Sequence, residues 1–188
     1  RWQGNPLTQG LTLAVNVSAR HFSHPQFIAQ VQSALHSSGA NPHRLILELT
    51  ESLVLHDVAD TANTMQTLRA QGVRFSLDDF GTGYASLSHL KRLPLYQLKI
   101  DGSFVQDIVT DSNDQAMVQT MIGMANNLGL NVIAEGVETQ AQHQALLQLH
   151  CPAFQGYFFA RPLPLAQFEQ ALTTPALPAP AEAPHFSI

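Results

Sequence analysis

Short runs of alternating apolar and polar residues, each followed by a stretch with helical spacing, recur along the chain and constrain its fold more than any other feature. In residues 11–18 (LTLAVNVS), Leu11, Leu13, Val15 and Val17 share one face, and Thr12, Ala14, Asn16 and Ser18 the other. Residues 45–50 set Leu45, Leu47 and Leu49 against Ile46, Glu48 and Thr50. Residues 73–78 set Val73, Phe75 and Leu77 against Arg74, Ser76 and Asp78. Residues 96–101 place Leu98 and Ile100 opposite Gln97, Lys99 and Asp101, and runs at 131–135 and 154–159 complete six predicted strands.

Between these runs the apolar residues take helical spacing. Phe27, Ile28, Val31 and Leu35 follow a capping-box pattern at Ser23-His24-Pro25-Gln26 and close near Gly39. Ala62, Met65 and Leu68 form a stripe from about Ala59 to a stop at Gly72, and Leu87, Leu90 and Leu93 a short one ending at Pro94. A long helix is predicted from about Asp114, with Met117, Val118, Met121, Ile122, Ala125 and Leu128 before Gly129. Thr139-Gln140-Ala141-Gln142 reads as a second capping box ahead of Leu146 and Leu149, and Pro164 opens a last helix through Leu172.

Repeated strand–helix alternation predicts an α/β fold with a parallel sheet. A doubly wound sheet has strands buried on both faces, whereas these carry small or polar groups on one, which suits the interior of a closed barrel. The prediction is a TIM-like (β/α)8 barrel whose first strands are missing, since six strands fall short of eight. At 188 residues, with no initiating methionine, the chain reads as part of a longer protein, residues 1–172 folding as a domain and the Pro/Ala-rich residues 173–188 forming a disordered tail. The single cysteine, Cys151, excludes an intrachain disulfide and fits a cytoplasmic domain, in a parent that is free to be membrane-anchored. A net charge of −5, without any basic run, gives no electrostatic case for a nucleic-acid polymer as partner.

In a barrel of this kind ligands sit at the carboxyl ends of the strands. The groups collected there are Asn16, Glu48, Asp78 with Asp79, Lys99 with Asp101, Glu135 and Gln155. One such end reads as a turn former or helix cap, but repetition around one mouth makes a set of oxygen donors suited to Mg2+ or Mn2+. Two such ions are the usual device for in-line attack of water on a phosphodiester. Lys99 is then a candidate to bind phosphate or orient water, and Glu135 a candidate general base or metal ligand.

The motifs LAVNVS, LELTES, SLDDFGTGYASL, LKIDGSFV, NVIAEGVET and FQGYFFARP, in this order, resemble the EAL domain of bacterial cyclic di-GMP phosphodiesterases. The resemblance runs from about Leu11 to Leu172 and implies metal-dependent hydrolysis of cyclic di-GMP to linear pGpG. It implies Asn16, Glu48 and Asp78 as metal ligands, Asp79 at a second metal, Lys99 holding water or phosphate, Glu135 as candidate base and Gln155 in the polar shell. Glu51 resembles the glutamate that steadies the loop after Asp79, and Asp101, Glu138 and Pro162 match motif positions near the site. A homodimer, and a GGDEF or sensory domain in the same parent, are the partners implied. The Glu-Ala-Leu stretch that names the family, with the arginine after it, is not in the sequence, and Tyr96 and Pro152 stand where the family often has Asp. The alternative is a non-catalytic EAL domain that binds cyclic di-GMP as a receptor or docks a protein.

Other reactive residue types have simpler readings. His21 and His24 lack zinc-spaced partners and read as loop residues, Cys151 as a packed thiol, and Met117, Met121 and Met124 as helix-interface residues.

Overall fold

A computed structural model of the chain describes residues 8–83 and 87–173. Residues 84–86 of the SLDDFGTGYASL motif, the opening residues 1–7 and the Pro/Ala-rich segment beyond Thr173 lie outside those residues. Five parallel strands, β1 (Leu13–Asn16), β2 (Leu45–Thr50), β3 (Arg74–Phe80), β4 (Gln97–Ile100) and β5 (Asn131–Ala134), pair in sequence order. The connections carry the helices α1 (Ala19–Phe22), α2 (Phe27–Ser38), α3 (Glu51–His56), α4 (Val58–Arg69), α5 (Leu87–Leu90), α6 (Gly102–Gln106) and α7 (Ser112–Asn127), with α8 (Gln140–Gln148) and α9 (Leu165–Thr173) after β5.

Register aligns the faces read from parity. Leu47 stands beside Phe75, Leu49 beside Leu77, Leu77 beside Leu98 and Leu98 beside Val132. These residues are buried in one apolar core with Phe27, Met65 and Leu68 from α2 and α4 and Val118 and Ile122 from α7. The opposite face carries Glu48, Ser76, Asp78, Gln97 and Lys99, all buried, together with buried Ile46 and Ile133. β1 is the exception: as an edge strand it leaves Leu13 and Val15 exposed on the helix side, and Val17, just past its end, joins the core with Phe22.

Three expectations need correction. Residues 154–159 form no strand: Phe154 makes one parallel bridge to Ala134, and the chain then folds back so that Phe158 N–H donates to the Val137 carbonyl. Only the start of the run lies along β5, Gln155 N–H donating to the Ala134 carbonyl at 2.8 Å; Gly156 rests on the Val137 backbone, and the rings of Phe154, Phe158 and Phe159 gather around His143 of α8. The capping box at Ser23 is not formed, because Ser23 ends α1; α2 begins at Phe27, and the His24 ring accepts the Gln26 N–H at 3.2 Å. Helix α3 follows β2 directly, where the sequence predicts none; α7, expected from about Asp114, starts at Ser112 under an Asp111 cap. The Thr139 capping box is present, and Gly39 and Gly129, both in left-handed backbone, end α2 and α7.

Candidate functional site

The carboxyl ends of β2, β3 and β4, with the residue following β5, bring four charged groups into direct contact. Lys99 Nζ lies 3.1 Å from Glu48 Oε1, 2.9 Å from Asp78 Oδ1 and 2.8 Å from Glu135 Oε1. Its side chain is only 4% exposed, so the ammonium is at the centre of the cluster rather than at its rim. Beneath it Gln97 Nε2 donates to Ser76 Oγ at 3.1 Å, a buried polar layer from the same face of β3 and β4.

A bulge aims the acids. Ser76 and Leu77 pair with Gln97 and Leu98, but the next pair is Phe80 with Ile100, so Asp78 and Asp79 together stand opposite Lys99. Asp79 takes φ 54°, a left-handed conformation that aspartate adopts more readily than most residues, and it breaks the alternation that would send its carboxylate away from Asp78. Oxygens of Asp78, Asp79 and Glu135 then lie within 4.8 Å of one another.

Glycines hold the flanking loops. Glu135 N–H donates to the Ile100 carbonyl at 3.1 Å, which ties the end of β5 to β4. At Gly136, φ 68°, an added Cβ would lie 3.0 Å from the Gly102 Cα, so the loops after β4 and β5 meet glycine to glycine beside Glu135. Glu51 is buried and its Oε2 accepts the N–H groups of Gly81 at 3.3 Å and Gly83 at 3.2 Å, which anchors the loop after Asp79.

Three carboxylates around one ammonium leave the cluster short of positive charge. Burial raises the Glu135 carboxyl to about 7, Lys99 opposing and Asp78 adding to the shift. Burial also raises Glu48, against Lys99 and with Asp78 and Asp79. Partial burial and then the Asp78 and Asp101 carboxylates raise Asp79. Burial would lower Lys99, but the Glu135, Glu48 and Asp78 oxygens outweigh it and hold the lysine above its ordinary value. Asp78 Oδ1 is buried and, despite the ammonium at 2.9 Å, has no well-directed hydrogen-bond donor. A set of buried carboxylate oxygens that share a single ammonium fits a hard divalent cation.

The other predicted residues lie further out. Asn16 is exposed at the end of β1, in register with Glu48, and Gln155, Glu138 and Pro162 are exposed beyond β5. Asp101 caps α6, its carboxylate accepting the Ser103 N–H at 3.0 Å. Two buried residues were not singled out from sequence. Gln142 accepts the Glu138 and Thr139 N–H groups and donates to the Gln106 carbonyl, joining α8 to α6; the capping box was its only signal. His143, its pKa lowered by burial among phenylalanines, had none.

Residues 1–162 match the EAL domain family. The cyclic di-GMP phosphodiesterase NbdA of Pseudomonas aeruginosa is 44% identical over 162 residues, which are 86% of this chain and 21% of that protein. The chain spans about a fifth of the length of the curated relatives it matches. The crystal structure of the EAL domain of Mycobacterium smegmatis DcpA superposes with a TM-score of 0.88 at 35% identity, covering 95% of this chain and 80% of that one. A manganese and cyclic di-GMP complex of Klebsiella pneumoniae BlrP1 matches with a TM-score of 0.77 at 32% identity, covering 86% and 41%.

Proposed function

The chain belongs to the EAL domain family, a fold of the TIM-barrel type, and on that premise we propose that it is the phosphodiesterase domain of its protein, hydrolysing cyclic di-GMP to linear pGpG. The observation that carries the reading is the Glu48–Asp78–Glu135 cluster around Lys99, with Asp79 brought alongside by the bulge. Asn16, Glu48 and Asp78 are the proposed ligands of one Mg2+ or Mn2+, and Asp79 serves the second. When bound, such ions lower the pKa of water and hold the oxygens of a phosphodiester in line.

The chain's own groups supply the rest. Glu135, beside Lys99 and Asp78, would accept the proton of the attacking water as its oxygen bonds to phosphorus; the ring P–O bond breaks and the leaving ribose oxygen takes up a proton, which Glu135 or water returns to it. Lys99 keeps its charge in the neutral range and, from its place among Glu48, Asp78 and Glu135, would donate to phosphate oxygens of the substrate. Gln155 extends the polar rim, and Glu51 holds the loop that carries Asp79. Asp101, Glu138 and Pro162 support neighbouring loops.

The proposal extends to a homodimer, and to a GGDEF or sensory domain in the same protein, the latter in keeping with the fraction of each relative that the chain spans. No helix among the described residues is long and apolar enough to cross a membrane. The test is chromatography of nucleotides after incubation of the full-length protein with cyclic di-GMP and Mn2+. Conversion to pGpG that Glu135→Gln abolishes is expected. Tight binding without conversion would instead assign a receptor.

A further inference from the structure

A basic surface cleft lies at the other end of β3. It has a volume of about 260 Å3 and opens beside the first residue of the strand, lined by His43, Arg69, Gly72, Arg74, Pro94 and Tyr96, together with two apolar residues. Among the described residues no carboxylate lines it, although the chain as a whole carries a net charge of −5. Among the described residues neither arginine forms an ion pair, and the His43 ring makes no hydrogen bond.

The walls are set by backbone. Arg74 opens β3 and its guanidinium lies 4.5 Å from the centroid of the Tyr96 ring. Tyr96 is fixed on both sides, its N–H donating to the Phe75 carbonyl at 2.9 Å and its carbonyl accepting from Asn131. The His43 ring lies on Gly72: a Cβ there would come within 2.8 Å of Cε1 and Nε2 and 2.9 Å of Nδ1. Gly72, at φ 103°, therefore serves both the turn out of α4 and the seat of the imidazole. A guanidinium laid on an aromatic face keeps its edge N–H groups for a planar or tetrahedral oxyanion.

We propose that this cleft binds a phosphate monoester, or inorganic phosphate itself, through Arg69, Arg74 and His43, with the Tyr96 ring as platform. The volume lies just below the ~300–1,000 Å3 of pockets for drug-sized ligands, which suits an occupant of about mononucleotide size or smaller. The cleft is separate from the acidic cluster, since Arg74 and Asp78 are about 13 Å apart along an extended strand.

The experiment is an NMR titration of the full chain in EDTA, where the acidic cluster offers an anion only repulsion. Inorganic phosphate is titrated first and adenosine monophosphate second, following the Arg Nε and His ring signals. Saturable shifts confined to His43, Arg69 and Arg74 are expected. Arg69→Ala with Arg74→Ala should weaken binding by about tenfold or more, and Arg74→Lys by less, while Arg20→Ala leaves it unchanged. Tighter binding of the nucleotide identifies an organic monoester as the occupant; equal affinities identify phosphate. Shifts that never saturate and spread equally to Arg20, Lys91 and Arg92, or undiminished affinity in the double variant, would overturn the proposal. Either result leaves the phosphodiesterase reading untouched, because no divalent metal is present.

Discussion

One face of β3 carries Arg74, Ser76 and Asp78 in succession, and its two ends are opposite in charge and in burial. At the carboxyl end Asp78 is buried among acids that share a single ammonium. At the amino end Arg74 is half-buried in a cleft without acids. Between them Ser76 is satisfied by Gln97. The net charge averages away two local imbalances, and the ligand proposed at each is of opposite sign. They differ in what imbalance costs: a buried cluster responds by shifting protons, whereas an open cleft is screened by water.

Replacing the ammonium should separate the ends most. Lys99→Met leaves Glu48, Asp78 and Glu135 without a counter-charge and is expected to lower stability by about 3–5 kcal/mol in EDTA, read by urea denaturation at neutral pH. A loss below about 1 kcal/mol would mean that the cluster is not electrostatically strained.

Gly136→Ala acts on the acidic end alone. A left-handed backbone and a Cβ pressed on Gly102 predict a loss of about 1–3 kcal/mol and a displaced Glu135. Mn2+ affinity, followed by its electron paramagnetic resonance, should fall in this variant, while phosphate binding at the amino end stays as in wild type.

The pH dependence distinguishes the two ends without altering the amino end. Glu135 moves from 4.5 to about 7 on folding, so the folded protein holds a proton that the unfolded chain releases between those values. That contribution to stability is complete below pH 4.5 and is lost as the pH rises through about 7, and Glu48 acts in the same direction. Denaturation in EDTA at several pH values should show this decline, and Glu135→Gln should flatten it; an identical slope in the variant would refute the assignment. Smallest of all, Arg74→Ala should cost less than about 1 kcal/mol, since its charge is partly solvated.

Much of this was legible in the sequence, and the limits are physical. Parity in β2, β3 and β4 identified the polar face, because a one-residue slip would have turned Leu47, Phe75 and Leu98 into the charged interior. Gly39, Gly72 and Gly129 marked helix ends because left-handed turns favour glycine. Residues 154–159 were misread because a short aromatic run fits a strand or a coiled segment packed on a helix equally well, and what decides is His143, distant in sequence. The bulge at Asp78–Asp79 is a mismatch between two strands and has no signature in either alone. Lys99 was read as one cation at the mouth; its place amid three carboxylates depends on distances that composition does not carry. The cleft at the amino end joins residues from separate turns, so no local motif announced it.

The central claim is that the cluster around Lys99 directs water onto a phosphodiester. The most direct measurement is mass spectrometry of the nucleotides formed by the full-length protein with Mn2+ and cyclic di-GMP in water enriched in a heavy oxygen isotope. The account predicts linear pGpG carrying the heavy oxygen in its terminal phosphate, and no product from Asp78→Asn. Intact cyclic dinucleotide in the wild-type reaction, or product formed equally by the variant, would contradict it.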